Sequence, residues 1–289
     1  MADGPIPRHA VETERVLGQL VHPVSKAQAA RAVVAQAISG RAGAYVCLTN
    51  VHTTVEARRS PELRTAVDNA FLSVPDGMPL TWILRRRGHR QTEKITGIEY
   101  IPLVAGAGLS TGLRHFFYGG APGVAREAAR QLESALPGVR VVGAMSPPYA
   151  EVESWPVDDL RRELRRTMPH ILWVGLGAPK QDLWMRRMSS ILDVPVMVGV
   201  GAGIDYLAGA KRAAPTALRH VGLEWLFRLA AEPRRLWRRY LVGNSTFLVL
   251  LARNALAHRI SRTEERVERP LEGSRVEESQ TARPQLPRK

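Results

Sequence analysis

A repeating order constrains this chain most: a short apolar run, then glycines or small polar residues, then a stretch with helical spacing. Residues 45–49 (YVCLT) form the first such run and close on Thr49 and Asn50. A run this short and apolar predicts a buried strand. Residues 53–69 follow with helix-compatible spacing, interrupted near Pro61. Residues 71–74 predict a second strand, ending on Pro75-Asp76-Gly77. Strand, helix, strand is a βαβ unit, so the two strands are expected to run parallel. Their polar ends then lie on one edge of the sheet, beyond the strand carboxyl ends, where open α/β sheets bind ligands. Thr49, Asn50 and Asp76 are therefore expected to meet in one cleft. Taken singly, each has a plainer reading: Asp-Gly makes turns, and Thr-Asn after a strand caps the next helix. Their coincidence at one edge is what points to chemistry.

The order recurs. Residues 114–118 (RHFFY) run into Gly119-Gly120-Ala121-Pro122-Gly123 and then a helix over 124–136. Strand, glycines, helix can offer backbone N–H groups to a phosphate. The same order also makes a plain tight connection, and it is not the GxGxxG fingerprint of dinucleotide folds. Residues 139–142 predict a strand, 156–167 a polar helix, and 170–174 (HILWV) a strand closing on Gly175-Leu176-Gly177. Pro179 suits the first turn of a helix over 181–192, which puts Lys180 and Gln181 at the same edge. Residues 196–200 end on Gly201-Ala202-Gly203, with Asp205 close behind. Further helices are predicted over 25–39, with Ser25 as cap, over 79–87 and over 97–106. The expected fold is α/β: a Rossmann-like, doubly wound, mostly parallel sheet with one ligand cleft.

From Gly222 the strands stop. Leu223, Leu226, Phe227 and Ala230 share one helical face, and a helix restarts at Pro233. Arg234 and Arg238 are four apart, as are Arg235 and Arg239, which makes a basic face. Leu236, Trp237, Tyr240 and Leu241 form the other side. Basic amphipathic helices that carry Trp lie at membrane interfaces; a helical cap with solvated arginines fits the same pattern. The expected organisation is a flexible tail over 1–14, a catalytic domain over 15–221, a helical appendage over 222–260 and a disordered polar tail over 261–289. The net charge of +14 on 289 residues favours an anionic partner: nucleic acid, an anionic lipid surface or a phosphorylated substrate. Against nucleic acid, the core basic residues are not interleaved with stacking aromatics and no recognised module is present. No apolar run approaches the length of about 18 residues that a spanning helix needs, and the N-terminus has no signal-peptide apolar region. A protein that is soluble or sits on a membrane surface is expected. The single cysteine, Cys47, excludes an internal disulfide and a cysteine-built metal site.

In this order, LTNVHTTVEA, VPDGMPL, EKITG, FFYGGAPGVAREAA, VGLGAPKQDLWM, GVGAGIDYLAG and GLEWLFRLAAEPRRLWRRYL resemble the WecG/TagA/CpsF glycosyltransferases over residues 16–251. Each motif is short; the ordered set is specific. The resemblance implies an inverting enzyme of bacterial cell-surface polysaccharide assembly. Such an enzyme moves N-acetylmannosamine, its uronic acid or glucose from a UDP-sugar to a polyprenyl-diphosphate-linked saccharide. It implies no metal or other cofactor. It also implies a cytoplasmic, peripheral protein whose appendage docks on the anionic inner face of the cell membrane and completes the site. Whether the chain forms a homo-oligomer stays open. Carried over by motif, Asp76 would be the general base that deprotonates the acceptor hydroxyl. Thr49, counted with it as catalytic, would line the donor pocket together with Asn50. Gly120, Gln181 and Asp205 would hold the nucleotide side, and Arg234, Arg235, Arg238 and Arg239 would face the diphosphates. With no Asp-x-Asp motif to hold a divalent ion, arginines and glycine-loop amides are the groups left to meet the leaving group's charge. Two other readings stay open: a non-catalytic sugar-nucleotide-binding protein of the same assembly, and a basic nucleic-acid-binding α/β protein. A Rossmann oxidoreductase is disfavoured by the missing dinucleotide fingerprint.

Overall fold

The computed structural model describes residues 12–148, 157–215, 218 and 222–254, without the side chains of Arg235 and Arg239. Residues 1–11 of the first expected tail, most of the loop after residue 145, the appendage beyond 254 and the tail over 261–289 lie outside the described residues. The chain falls into two compact units, Met1–Leu248 and Val249–Lys289; of the second, residues 249–254 are described and are helical.

The first unit opens with an antiparallel hairpin that the sequence reading had not foreseen, β1 (Glu14–Val16) and β2 (Gln19–Val21). Its two-residue turn is Leu17-Gly18, both at positive φ, which matches the twist of paired strands. Asp68 anchors it, accepting from Gln19 Nε2 and Leu20 N–H and pairing with Arg15 at 3.0 Å.

Strands and helices then alternate: α1 (Lys26–Ile38), β3 (Ala44–Thr49), α2 (Val51–Ala57), α3 (Pro61–Asp68), β4 (Leu72–Pro75), α4 (Met78–Arg86), α5 (Gly97–Ala107), β5 (Arg114–Gly119), α6 (Val124–Ala135), β6 (Arg140–Met145), α7 (Val157–Thr167), β7 (Ile171–Gly175), α8 (Lys180–Met188), β8 (Val196–Gly199) and α9 (Gly203–Leu207). Local chemistry sets the helix starts. Ser25 closes a capping box with Gln28 on α1, and Ser60 caps α3 just before Pro61. That cap and that proline split the stretch over 51–68 into two helices, as the interruption near Pro61 predicted.

The six strands β3 to β8 form one sheet in the order β4-β3-β8-β7-β5-β6. Every neighbouring pair is parallel, so the expected Rossmann-like parallel sheet is the fold. Period-two alternation divides the core between its faces. Val46, Leu48, Phe117, Trp173 and Val198 pack with α1, α5 and α6; Tyr45, Cys47, Phe116, Leu172 and Met197 pack with α3, α7 and α8. Burial on both faces is why the strands read as unbroken apolar runs.

The strand order reverses twice. The chain leaves β3 outward to β4 while β8 lies on its other side, and it leaves β5 outward to β6 while β7 lies inside. Between the carboxyl ends at such reversals, helices and loops part and leave a crevice. Here two reversals flank β8 and β7, so one broad cleft runs from Asn50 to Gly175.

After α9 come α10 (Glu224–Ala231) and α11 (Pro233–Trp237), then a single π-helical turn over Arg238–Val242. Residues 243–254 continue as helix. Leu236 and Phe247 are buried, whereas Trp237, Leu241, Val242 and Leu248 are exposed. Among the described residues no helix is long and apolar enough to cross a membrane.

Candidate active site

Asp76 is the first residue past β4, and its N–H donates to Thr49 O of β3 at 2.7 Å. This extends the ladder by one step and aims the carboxylate out past the strand ends. Asn50 Nδ2 donates to Asp76 Oδ2 at 3.2 Å. Asn50 also caps α2: its Oδ1 accepts the Thr53 N–H, and Thr53 Oγ1 accepts the Asn50 N–H. Capping and holding the acid are thus two jobs of one amide.

Two cavities meet at this pair. The first is the cleft at the strand reversals, with about 1000 Å³ of free space including its solvent mouth, lined by the turns over 175–178 and 199–203. The second has about 700 Å³ and is walled by Val51, His52, Met78, Lys94, Glu224, Trp225 and Asn244 among others. Asn50, Asp76, Arg228 and Tyr240 line both. Asp76 therefore stands at the junction, with a glycine-lined cleft on one side and a partly aromatic cavity on the other.

Gln181 and Asp205 line the glycine cleft as expected. Gln181 Oε1 accepts the Gly201 N–H at 3.0 Å. Lys211 Nζ lies 3.8 Å from Asp205 and 3.2 Å from Glu232, tying α9 to the start of α11.

Thr49 does not line either cavity. It shares the inward face of Tyr45 and Cys47, is 1% exposed, and its hydroxyl lies 2.7 Å from Ser73 Oγ. A strand's last residue still obeys the pleat; the residue beyond it is the one that reaches the cleft. Gly120 lines neither cavity but sits beside Asp205. Its N–H donates to Gly175 O at 3.2 Å, so that amide is taken. A Cβ at Gly120 would stand 2.8 Å from Val124 Cγ1 and the residue has a φ of 70°, so glycine is needed there for the turn into α6, with Asp205 Oδ1 in ordinary contact at 3.5 Å. Arg234 is exposed and lines neither cavity; Arg238 lines a separate groove with His52, Glu56 and Leu236 and stacks on Trp237. Arg235 and Arg239 belong to the helical run, but their side chains are outside what is described. The helices approach the cleft through Leu236 and Tyr240 instead.

Arg228, which the sequence reading passed over, lines both cavities with Asp76. Its guanidinium is paired with Glu224 one turn earlier and sits 4.9 Å from the centre of the Tyr206 ring. Burial works against its charge, but Glu224, Tyr206, Tyr240 and Asp76 outweigh that and hold its pKa above the ordinary value. Its Nε has no hydrogen-bond partner. Lys94 lies 3.6 Å from the same Glu224. Thr96 was missed too: it lines the glycine cleft, and its buried hydroxyl has no partner. The available signal for Arg228 was its place four residues after Glu224; for Thr96 it was the EKITG motif. Among the described residues no group of three or more His, Cys, Asp or Glu side chains could hold a metal ion.

A parallel sheet with a glycine-lined cleft at its strand reversals, and an acid shared with a second cavity, defines a Rossmann-like protein with room for two ligands side by side. The chain belongs to the glycosyl transferase WecG/TagA/CpsF family, whose model matches residues 14–261. It is thereby a glycosyltransferase of cell-surface polysaccharide biosynthesis. Two relatives are both named N-acetylglucosaminyldiphosphoundecaprenol N-acetyl-beta-D-mannosaminyltransferase. The one from Bacillus spizizenii is 26% identical over 69% of this chain and 75% of its own length. The one from Bacillus subtilis is 23% identical over 71% of this chain and 77% of its own.

Proposed function

We propose that the protein transfers a sugar, N-acetylmannosamine first among the candidates, from a UDP-sugar to an N-acetylglucosaminyl-diphosphate carried on a polyprenol, with inversion at the anomeric carbon. The observation that carries this reading is the place of Asp76 at the junction of two cavities. A transferase needs two substrates on opposite sides of one base. With the donor in the glycine cleft and the acceptor sugar in the second cavity, the acceptor hydroxyl gives its proton to Asp76 as its oxygen attacks the anomeric carbon. Attack from the acceptor side expels the nucleoside diphosphate from the opposite face, which inverts the centre. The charge that develops on the leaving group meets Arg228, and the Thr96 hydroxyl supplies a further donor. Asn50 holds the carboxylate in place with its Nδ2 donor. The relatives' printed names supply the acceptor and the sugar.

The exposed Trp237, Leu241, Val242 and Leu248 beside exposed Arg234 and Arg238 support docking of residues 222–260 on the anionic inner face of the membrane, where such an acceptor resides. Flotation with anionic vesicles that survives both high salt and Trp237→Ser would contradict that part. The main test is a panel of UDP-sugars with a short-chain polyprenyl-diphosphate N-acetylglucosamine, read by mass spectrometry. Product is expected with UDP-N-acetylmannosamine, and Asp76→Asn should lose about 10²–10⁴-fold in turnover, the range of a lost general base, while still binding UDP. No product with any UDP-sugar, or undiminished turnover by Asp76→Asn, refutes the proposal.

A further inference from the structure

Helix α4 buries one face and leaves the other to solvent. Leu80, Thr81 and Leu84 are buried and hold it to the core. Trp82 lies on the opposite side of the helix and is 51% exposed. Arg85 and Arg86, three and four residues further on, share the Trp82 side, and Arg90 follows in the turn after the helix; all three are exposed. Arg87 pairs with Glu14 at 2.9 Å, and Arg85 Nε donates to Thr92 O. Among the described residues Arg86 and Arg90 have no ion pair. The indole is not isolated. A Cβ on Gly222 would stand 2.9 Å from Met78 Cγ and 3.8 Å from Trp82 Cη2. The chain therefore passes beside α4 just before α10, and there Leu223 and Leu226 are 39% and 48% exposed. Exposed apolar groups rimmed by charge mark an interaction surface.

We propose that α4 is a second membrane contact, made by the catalytic domain itself: Trp82 enters the interface of an anionic bilayer, and Arg86 and Arg90 meet its headgroups. A bilayer matches both halves of this surface. Its interface takes indole rings, and its anionic lipids attract arginines held near them. A solvated helix face would account for the arginines and leave the indole without a reason. The contact goes beyond docking of residues 222–260, and it rests on the reading that the acceptor is lipid-borne. Met78 and Pro79, where α4 begins, line the second cavity, and Trp82 is about one turn, ~6 Å, further along. A bilayer that holds Trp82 therefore lies close to the cavity assigned to the acceptor sugar.

The test is co-sedimentation of the full chain with vesicles of phosphatidylcholine, with and without phosphatidylglycerol, beside turnover of a short-chain acceptor without vesicles. Trp82→Ser should lower the partition constant for the anionic vesicles about tenfold. Arg86→Ser combined with Arg90→Ser should lower it on the order of tenfold, with no change on phosphatidylcholine alone. Trp82→Phe keeps an aromatic ring and should keep most of the affinity. Turnover without vesicles and the melting transition should match wild type in every variant, because none of these side chains lines a cavity. Partitioning unchanged by Trp82→Ser, or by the double arginine variant, overturns the proposal, even where Trp237→Ser does weaken binding and docking by the appendage stands. Sedimentation equilibrium tests the other occupant: a dimer that Trp82→Ser breaks while vesicle binding persists assigns the face to a second copy and overturns the proposal. Wild-type protein that binds no anionic vesicle overturns this contact and appendage docking together. A chain that makes no product with any UDP-sugar, yet loses vesicle binding through Trp82→Ser, refutes the donor assignment and supports this contact.

Discussion

A Cβ on Gly97, the first residue of α5, would stand 2.3 Å from Val200 O and 3.0 Å from Val200 Cβ. Gly203 reciprocates: its Cβ would stand 2.7 Å from the Gly97 carbonyl carbon. The starts of α5 and α9 therefore cross backbone on backbone, and no flexible side chain is there to yield. Gly97→Ala must push α5 off the turn after β8. Overpacking an interior costs about 1–3 kcal/mol, which in a domain of this size lowers Tm by about 2–12 °C. Gly106 lies in the last turn of the same helix and has nothing within 4 Å of where its Cβ would go. Gly106→Ala should therefore gain stability, by about 0.5–1 kcal/mol from helix propensity. One chemical change in one helix thus takes opposite signs. Activity should separate the pair as well. Gly97 and Ile98 line the cleft, and a displacement of about 1 Å at a reacting site costs on the order of 10²-fold in rate, whereas Gly106→Ala should turn over like wild type. Urea midpoints and initial rates read both effects. Equal stability of the two variants, or wild-type rates from a folded Gly97→Ala protein, would refute the close approach.

Arg228→Lys keeps the charge but loses the planar fork, so turnover should fall on the order of 10²-fold; Arg234→Lys, on an exposed side chain, should change it less than about twofold. A reversed ranking in steady-state rates would return the leaving-group role to the arginine cluster. Burial lifts the Asp182 pKa from 3.8 to about 7. The folded state therefore binds this proton where the unfolded chain has released it, and the stability it contributes is present below pH 4 and lost as pH rises through 7. Asp182→Asn has no such loss, so its advantage over wild type should grow by about 3 kcal/mol from pH 5 to pH 8; parallel urea curves across that window would show the carboxyl is not buried as drawn. A chain cut after Gly222 should keep a cooperative unfolding transition and lose about 10²-fold or more in turnover, because Arg228 goes with the cut; full activity would remove α10 from the site.

The strand ends were legible because a parallel strand is apolar along its whole length and stops where the chain leaves the sheet. That stop located Asn50, Asp76, Gln181 and Asp205 on one edge. It did not tell which way each group faces. Thr49 belongs to the last pleat and turns inward to Ser73; one residue later, Asn50 is free of the pleat and reaches the acid. Gly120 looked like a phosphate turn, yet its amide is spent on Gly175, a partner brought in from β7 by a strand order that no local pattern encodes. The hairpin at 14–21 was missed because its turn is Leu-Gly, and a leucine at positive φ is not a turn signal. The C-terminal helices show a different limit. Charge density drew the reading to the Arg234–Arg239 run, where residues cluster in sequence. Which cation shares a cavity with an acid depends on distance in space, and among the described side chains Arg228, which lines both cavities with Asp76, stands apart from the run. Its helix, α10, has no fully buried residue and is tied down by Glu224 to Lys94 and by Arg228 against Tyr206. An element held by such polar contacts contributes little to core burial. It can therefore close the site without being needed to build the sheet.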